Sequence, residues 1–480
     1  MNERRNKSMT DSTIIKDHEL TKYEAEELLK EMQSFFHTRK TMNLHFRKQM
    51  LRKLKSTIKK YEAEVQDALY KDLRKSEAES YITEIGLLYQ SIDYFIRNLE
   101  RFSRRKMVKR HTASILSQGY LYKEPYGTVL IISAFNYPFQ LLMEPLIGAI
   151  AAGNNAVIKP SEQAVYTEAV IEKIIKEAFP PTMVQVVKGG KDTVTSLTTS
   201  DFDYIFFTGS VSTGRIIMGN ASRNLTPVTL ELGGKSPAIV MKRANIKNAA
   251  RKIIYGKFLN AGQTCIAPDY VLAHEDVMEE LVVEMKRYLR KFYRGDPRTS
   301  KDYSRIISKK ALKRLSDILE EDKEYVVHGG DVDPIENYMA PTLLVKNDMN
   351  LRSMEEEIFG PILPIIRYQD INKTLDEIQP LGKPLAFYVF TEDRVLAEKV
   401  LKRVSFGGGC INDVLFHISS PYLTFGGVGN SGIGRYHGRY SFDTFSHEKA
   451  VLKSSSYLNM RINEPPITNL KETLIRKILK

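Results

Sequence analysis

The sequence predicts an α/β fold in which helices cover mostly parallel sheets. Residues 20–100 carry apolar side chains at the spacing of amphipathic helices. From residue 128 onward, short apolar runs alternate with helical runs, and the alternation returns after residue 232. Apolar strands separated by helices are typical of parallel sheets covered on both faces. At 480 residues the chain is too long for one ordinary core, so two or three structural units are expected.

The N-terminal part is predicted to form three long helical runs, over 21–38, 44–73 and 77–103. Thr21 is a plausible N-cap for the first, because its hydroxyl can accept a backbone N–H. The segment GYLYKEPYG, residues 119–127, is predicted to form a short exposed hairpin, because it contains proline and glycine, which favour turns.

The first sheet unit follows from residue 128. Its predicted strands cover 128–135, 155–160, 183–190 and 203–210. Helices are predicted between them, one ending at Gly153, one capped by Ser161, and one over 212–222. Ligands of such sheets bind at the carboxyl ends of the strands.

The second unit begins near residue 232 and alternates in the same way. Its predicted elements are strands at 236–241, 270–274 and 387–390 and helices at 245–261, 275–291 and 392–404. The tail, NLKETLIRKILK, places leucine and isoleucine on one helical face. We expect that face to dock on the protein rather than on a partner or a membrane surface.

Composition narrows the class of protein. Apolar residues make up 42% and charged residues 27%, as in soluble globular proteins. We find no run of about 18 uninterrupted apolar residues, and residues 1–12 lack the apolar core of a secretory signal. Two cysteines cannot build a disulfide framework, which suits a reducing cytoplasm.

The formal charge of +13 raises the question of nucleic acid or membrane partners. The densest basic cluster, residues 101–111, has no interleaved aromatic platform, so a solvated connection is the preferred interpretation. The nine histidines have no metal-binding spacing. We therefore expect neither nucleic acid nor metal.

Two glycine-rich stretches are candidate phosphate sites. FFTGSVSTG carries Gly209 and Gly214 at a strand end that opens a helix, where backbone N–H groups attract a phosphate. It is not a P-loop, because arginine and isoleucine stand where lysine and serine or threonine belong. GGVGNSG, residues 426–432, has dinucleotide-like spacing, but no strand–helix–strand unit surrounds it. The cofactor is therefore predicted at 209–214.

Three polar residues interrupt apolar surroundings and are candidates for chemistry. Cys265 ends FLNAGQTC in a predicted loop, where a thiolate nucleophile is favoured over a packed thiol. Glu231 follows a strand and could be a buried partner of an arginine or a general base with a raised pKa. Asn136 could cap the next helix or donate to an oxyanion. Cys410 in GGGCIND is interpreted as a packed thiol.

Seven motifs then occur in one order between residues 135 and 447: FNYPF, KPSE, FTGS, ELGGKSP, GQTC, EEIFGP and SFDTFSH. In this the chain resembles the aldehyde dehydrogenase superfamily over nearly its whole length. GQTCIAPDYVL and SGIGRYHGRYSFDTFSH are similar to its class 3 branch, which includes fatty and coniferyl aldehyde dehydrogenases.

The resemblance implies a role for each matching residue. Cys265 corresponds to the nucleophile, Glu231 to the general base and Asn136 to the oxyanion donor. The implied cofactor contacts are Lys159 and Glu162 at the adenosine ribose, Gly209, Ser210, Val211, Ser212, Thr213 and Gly214 at the pyrophosphate, and Glu357 and Phe359 at the nicotinamide ribose and ring.

The implied activity is oxidation of an aldehyde to a carboxylic acid through a Cys265 thiohemiacetal and thioester, which Glu231-activated water hydrolyses. The family suggests medium- or long-chain aliphatic or aromatic aldehydes, with Tyr137, Leu141 and Phe425 as pocket walls. Glu162 should accept hydrogen bonds from ribose hydroxyls and repel a 2′-phosphate. We therefore expect NAD to be preferred and NADP tolerated.

The resemblance also implies the domain plan. It comprises a Rossmann-like cofactor domain (20–108 and 127–231), an α/β catalytic domain (232–430), bridging elements (109–126 and 431–453) that form a small β-sheet, and an amphipathic tail (454–480). Exposed edge strands of such a sheet can pair with a second subunit, so a homodimer is expected. The expected location is the cytoplasm. The tail is too short to span a membrane, which leaves surface association.

Two alternatives remain. An acylating dehydrogenase would pass the acyl group to coenzyme A or phosphate, but relatives that do so tend to lack the ELGGK glutamate. A non-catalytic protein that binds acidic partners through its basic surface would have no need for Cys265, Glu231 and Asn136 together.

Overall fold

A computed structural model describes residues 19–457 and 461–479, apart from 112, 113 and 115. Helices within these ranges cover both faces of two large sheets. In chain order they are α1 (Lys22–His37), α2 (Leu44–Lys60), α3 (Glu62–Leu73), α4 (Glu77–Ser80), α5 (Gly86–Ser103), α6 (Gln140–Ala152), α7 (Val165–Ala178), α8 (Lys191–Thr198), α9 (Val211–Ala221), α10 (Ile246–Phe258), α11 (Glu275–Phe292), α12 (Lys309–Glu321), α13 (Ile371–Ile378), α14 (Arg394–Arg403), α15 (Arg439–Thr444) and α16 (Asn469–Ile478).

The strands form two large and two small sheets. They are β1 (Lys106–Met107), β2 (Gln118–Pro125), β3 (Thr128–Ile132), β4 (Asn155–Lys159), β5 (Val184–Val186), β6 (Tyr204–Thr208), β7 (Val228–Glu231), β8 (Pro237–Val240), β9 (Tyr270–His274), β10 (Val326–His328), β11 (Val332–Asp333), β12 (Tyr338–Met339), β13 (Thr342–Lys346), β14 (Ile362–Tyr368), β15 (Ala386–Phe390), β16 (Gly408–Ile411), β17 (Gly432–Ile433) and β18 (Ser446–Lys453).

The first large sheet has the strand order β17-β7-β6-β3-β4-β5 and is parallel except for the short β17. β3 shows why its strands are apolar throughout. Val129 and Ile131 pack into the core that contains α6 and α7, whereas Leu130 and Ile132 pack into the core that contains α1, α8 and α9. Both faces are covered, because alternate side chains of a strand point to opposite faces. The predicted α/β fold is confirmed.

The second large sheet has the order β10-β13-β14-β9-β8-β15-β16, in which only β10 is antiparallel. Its strand β8 is likewise apolar on both faces. On β8, Ala238 and Val240 belong to one core and Ile239 to the other. The carboxyl end of β8 and the strands beside it therefore lie between helices, as in the first sheet.

A third sheet, with the order β1-β2-β18, has an exposed edge strand. β18 pairs with β2 along eight residue positions, and every β18 residue after Ser446 is exposed. The predicted hairpin at 119–127 is wrong, because β2 runs through that segment without a turn. The turn comes at Gly127, whose φ of +150° and close approach to Asp203 exclude a side chain.

The N-terminal helices match their prediction except at one boundary. Thr21 caps α1 in a capping box with Glu24. The predicted helix over 44–73 is two helices, α2 and α3, which meet at Tyr61. Between α4 and α5, Tyr81–Ile85 form a wider π-type turn, and such turns are frequent at functional sites.

Helix α7 begins later than predicted, and Ser161 is not its cap. The helix starts at Val165, and the Asp72 carboxylate of the α3 end accepts the backbone N–H groups of Tyr166 and Thr167 at 3.2 and 2.8 Å. Asp72 thus satisfies the first-turn donors that a local cap would otherwise bind. Because Asp72 is remote in sequence, no local pattern indicates this cap.

The C-terminal helix α16 differs from the expectation that it docks on the protein. None of its residues is buried, and Leu470 is 71% exposed. Its apolar side chains therefore face outward. Within the part of the chain that the structure describes, no helix is long and apolar enough to cross a membrane.

Candidate active site

A cavity of about 500 Å³ lies where the two large sheets meet the N-terminal helices. Its walls are mostly apolar and include the predicted pocket residues Tyr137, Leu141 and Phe425. Further lining comes from the π-type turn, the ends of β6 and β7, the loop after α10 and the segment before α15. Those residues include Tyr81, Ile82, Leu87, Thr208, Glu231, Tyr255, Leu259, Thr264, Cys265, Ile266, Phe416 and Tyr436.

The loop that presents Cys265 to the cavity is held by backbone geometry. Asn260 and Ala261 both have a φ of 51°, and Gly262 follows at 77°. A Cβ on Gly262 would lie 2.3 Å from the Gly360 carbonyl oxygen, so only glycine fits. Gln263 is buried and donates to the carbonyls of Asn260 and Arg305 at 3.0 and 2.9 Å. The chain is therefore rigid immediately before Cys265.

The Cys265 thiol is not activated in the protein alone, contrary to the expectation that a loop position favours the thiolate. Burial raises its pKa well above the ordinary value, and the Glu357 and Glu231 carboxylates raise it further. Backbone N–H groups of Cys265 and Ile266 oppose this rise. Cys265 is half-buried against the apolar walls of the cavity, which disfavours the charged thiolate.

Glu231, the last residue of β7, has no hydrogen-bond partner for either carboxyl oxygen among the described residues. Burial raises its pKa well above the ordinary value of a carboxyl group. Thr208 Oγ1 and Tyr436 Oη are also buried without a partner in the described structure, and both residues line the same cavity. These unpaired polar atoms mark a place for a substrate or water molecule.

Asn136 lies behind the Cys265 loop. The side-chain Nδ2 of Asn136 donates to the Gln263 backbone carbonyl at 3.1 Å. The backbone carbonyl of Asn136 accepts from Lys75 Nζ and Asn260 Nδ2 at 2.8 and 2.7 Å. Asn136 is not among the residues that line the described cavity. The side-chain amide nevertheless has a second N–H, while the hydrogen bonds from Lys75 and Asn260 fix the backbone of Asn136.

The 209–214 segment joins β6 to α9 and can accept a phosphate group. Ser210 is the N-cap of α9, and its hydroxyl accepts the Thr213 N–H at 3.2 Å. A Cβ on Gly209 would lie 2.4 Å from the Phe207 ring, and one on Gly214 would lie 2.6 Å from Leu232. The two glycines therefore let the turn pack closely, and the helix N-terminus offers N–H groups to an anion.

Lys159 and Glu162 lie at the same edge of the first sheet as the 209–214 segment. β4 and β6 both pair with β3 in parallel, so the carboxyl ends of all three strands meet. Lys159 ends β4, is only 2% exposed, and forms an ion pair with the more exposed Glu162. A buried ammonium at the same sheet edge as a helix N-terminus suits a polar, anionic ligand.

Glu357 and Phe359 lie on the other side of Cys265. Glu357 packs so closely on Gly233 that a Cβ there would lie 1.8 Å from Glu357 Oε2. Burial first, and then the Asp269 charge, raises the Glu357 pKa to about 8. Phe359 has a φ of 50° and contacts the Phe135 ring edge to face at 5.8 Å. Both residues thus sit on a constrained segment beside the nucleophile candidate.

Comparison with known proteins identifies the family. The model of the aldehyde dehydrogenase family matches residues 2–451. The chain belongs to the aldehyde dehydrogenase family. The recognised resemblance is therefore confirmed.

Individual members of the aldehyde dehydrogenase family are similar over most of the chain. A Staphylococcus aureus 4,4′-diaponeurosporen-aldehyde dehydrogenase is 48% identical over 90% of this chain and 94% of its own length. A rat aldehyde dehydrogenase named as dimeric and NADP-preferring is 40% identical over 89% of this chain and 94% of its own length. The solved structure of a substrate-bound Staphylococcus aureus AldH has a TM-score of 0.93, with 46% identity, over 95% of this chain and 99% of its own.

As a family member, the protein is an NAD(P)-dependent oxidoreductase that converts an aldehyde to a carboxylic acid. The use of NAD(P) also agrees with a related Bacillus cereus aldehyde dehydrogenase, whose NAD⁺ complex has a TM-score of 0.81 with 25% identity over 91% of this chain and 90% of its own. The described residues contain no group of three or more side chains able to hold a metal ion.

Sequence reasoning missed one group of residues that supports the active site of this aldehyde dehydrogenase. Lys75, Glu79 and Glu84 are buried beneath the site, and they bind the segments that carry Asn136 and Asn260. The available signal was Glu84, which falls on the apolar face of its helix four residues before the buried Leu88. Charged residues on an apolar helical face are a sign of a buried polar cluster.

Proposed function

We propose that Cys265 is the nucleophile of the aldehyde oxidation. It is the cavity-lining residue able to add to a carbonyl carbon, and the rigid loop before it holds the sulfur toward the cavity. Addition creates a thiohemiacetal with an alkoxide oxygen. Because burial raises the thiol pKa, the thiol proton must pass to a water molecule or a base in the cavity before or during this addition.

The alkoxide needs hydrogen-bond donors, and we assign the Cys265 backbone N–H and the free N–H of Asn136 Nδ2 to it. Lys75 and Asn260 hold the Asn136 backbone carbonyl, and the Gln263 carbonyl accepts one N–H of the side-chain amide, which orients Nδ2 toward the Cys265 loop. The loss of one preorganised donor of this kind typically costs about 3–4 kcal/mol of barrier.

We assign the cofactor-binding residues from the segments described above, whose polar groups fit the parts of a dinucleotide. Gly209, Ser210, Val211, Ser212, Thr213 and Gly214 would hold the pyrophosphate, Lys159 and Glu162 the adenosine ribose, and Glu357 and Phe359 the nicotinamide end. When bound, NAD(P)⁺ supplies the hydride acceptor that allows the Cys265 adduct to become a thioester. NAD is expected to be preferred, since the Glu162 carboxylate would repel a 2′-phosphate.

Glu231 is assigned as the base that activates water against the thioester. Its unpaired carboxyl faces the same cavity as Cys265. A raised pKa brings a carboxylate closer to the basicity that proton abstraction from water needs. The two reactions then release a carboxylic acid and free Cys265.

The substrate class is proposed from the cavity walls. Aliphatic and aromatic side chains surround Cys265, and the exposed apolar residues Ile82 and Phe416 stand among the lining. This arrangement favours a medium- or long-chain aliphatic aldehyde or an aromatic aldehyde over a sugar or amino aldehyde.

Steady-state kinetics with an aldehyde panel test this proposal. We expect kcat/KM with NAD to rise with chain length and to exceed that with NADP. A preference for short polar aldehydes would contradict the substrate class, and a clear NADP preference would contradict the cofactor assignment.

The assembly, domain plan and location are also proposals. We propose a cytoplasmic homodimer formed through the exposed β18 edge, with the domain boundaries expected from the sequence. Light scattering should give twice the chain mass. The exposed leucines and basic residues of α16 favour surface association with membranes, which vesicle sedimentation with and without residues 455–480 would test.

A further inference from the structure

A small pocket lies beside the main cavity and contains several polar residues among its lining. It has a volume of about 50 Å³, and its lining includes five residues that also line the cavity: Leu87, Gln90, Gln140, Ile418 and Ser419. The shared wall makes the two spaces neighbours. A pocket of this size holds only a small group of atoms.

Two buried polar residues, Glu144 and His437, line this pocket. Glu144 is 4% exposed, lies on α6 and accepts the Ser91 hydroxyl at 2.8 Å. His437 is 7% exposed, and its Nε2 is buried without a partner among the described residues. α6 is otherwise almost entirely apolar, so a carboxyl group at this place has no role in packing. A buried, unpartnered ring nitrogen also costs stability unless a ligand or water satisfies it.

The charge state of the pocket indicates what it accepts. Burial lowers the His437 pKa to about 3, so the ring is neutral, and a hydrogen bond with the Ile418 backbone occupies its other nitrogen. Nε2 is therefore a hydrogen-bond acceptor. The amide groups of Gln90 and Gln140 stand nearby in the same lining. A group that both donates and accepts hydrogen bonds satisfies this set.

We propose that the Glu144–His437 pocket binds a hydroxyl group that the aldehyde substrate carries at a carbon remote from its carbonyl. A hydroxyl donates to His437 Nε2 or Glu144 and accepts from an amide. An ammonium group would have to lose its hydration against the apolar cavity walls, which costs far more than burial of a hydroxyl. A carboxylate would likewise have to lose its hydration beside the buried Glu144. The proposal rests on the proposed function, because it requires the main cavity to hold the aldehyde.

The test compares a long unbranched aldehyde with a series of the same length, each member carrying one hydroxyl at a different carbon. We expect one position, or two adjacent ones, to show a kcat/KM about tenfold above that of the unsubstituted aldehyde. Neighbouring positions should fall below it, since their hydroxyls would face apolar walls.

Two variants locate the effect. In Glu144→Leu and in His437→Asn, the ratio of kcat/KM for the favoured hydroxyaldehyde to that for the unsubstituted aldehyde should fall toward one. Asparagine tolerates the φ of 82° at position 437, which protects that variant against misfolding. Glu320→Leu, on the exposed surface of α12, serves as the control and should keep the wild-type ratio.

The outcomes separate the two proposals. A ratio at or below one for every hydroxyl position would overturn the hydroxyl subsite while the oxidation of simple aldehydes stands. A position preference that survives both variants would also overturn it. No oxidation of any aldehyde in the series would instead refute the proposed substrate class, and the subsite with it.

Discussion

The Lys75 ammonium lies 2.5 Å from Glu84 Oε1, in an ion pair whose side chains have no exposed surface. Each partner also binds the turn before α6. Glu84 Oε2 accepts the backbone N–H groups of Phe139 and Gln140 at 2.9 and 3.2 Å, and Lys75 donates to the Asn136 carbonyl. The pair therefore anchors the start of α6 and the residue assigned to the oxyanion at the same time.

Glu84→Gln should destabilise the protein by about 3–5 kcal/mol, because it leaves the Lys75 charge buried without its partner. Urea unfolding would measure the change. Lys75→Met should cost a similar amount, and the double variant should cost less than the sum. Asp317→Asn breaks the exposed pair with Lys313 and should change stability little. Strictly additive losses at positions 75 and 84 would contradict the coupling.

Cys265→Ala should abolish NAD(P)H formation, while Cys410→Ala should leave turnover measurable. Cys410 is half-buried on β16 near His417, away from the assigned chemistry. Cofactor binding followed by fluorescence would show that the inactive variant is folded. Normal turnover by Cys265→Ala would remove the nucleophile from the proposed mechanism.

Alkylation of Cys265 by iodoacetamide should be slow near neutral pH and should still accelerate above about pH 10, where an ordinary thiol with a pKa of about 8.5 is already ionised. The reason is that burial and two neighbouring carboxylates raise the thiol pKa. Peptide mass spectrometry would follow Cys265 separately from Cys410. A rate that reaches a plateau below the ordinary thiol pKa would show that the free enzyme already holds a thiolate.

Glu231→Gln should produce one burst of NAD(P)H per active site and then stall, because the thioester lacks the base that activates water. The amide keeps the shape of the carboxyl, so the first half-reaction should persist. Rapid-mixing absorbance would measure the burst. Adding coenzyme A to the stalled variant tests the alternative of an acylating dehydrogenase. If coenzyme A restored turnover, that alternative would be favoured.

Glu162→Gln should raise the ratio of kcat/KM for NADP to that for NAD roughly tenfold, because it removes a carboxylate that repels the 2′-phosphate and frees Lys159 to pair with it. Parallel kinetics with the two cofactors would measure the ratio. Glu177→Gln makes the same charge change at the far end of α7 and serves as the control. An unchanged ratio would place the adenosine ribose elsewhere.

The titration of Glu144 should lower the free energy of unfolding as pH rises. Burial raises its pKa to about 7 in the folded state, from 4.5 as the ordinary value. The folded state therefore binds more protons between these values, and the free energy of unfolding falls by about 3 kcal/mol across that window. Glu144→Gln should lose this pH dependence, so its Tm should exceed that of the wild type at pH 8 more than at pH 5. Parallel Tm curves would contradict the prediction.

Much of the fold was predictable because its determinants are local. Thr21 caps α1 through a residue three positions away, Gly153 ends α6 in the left-handed conformation, and the apolar strands need only their own side chains to indicate a covered parallel sheet. The candidate site residues were named from motifs whose order identified the family.

The remaining features depend on contacts between residues that are remote in sequence. Asp72 caps α7 across 94 positions, and Glu84 reaches Phe139 across 55. The raised pKa values of Cys265 and Glu144 could not be predicted either, because a pKa follows from burial and from the charges that packing brings near. The sequence by itself determined the periodic elements and the chemical identity of the site. Only the tertiary structure decided which charges are buried, since solvent exclusion is a property of the packed chain and not of any short segment.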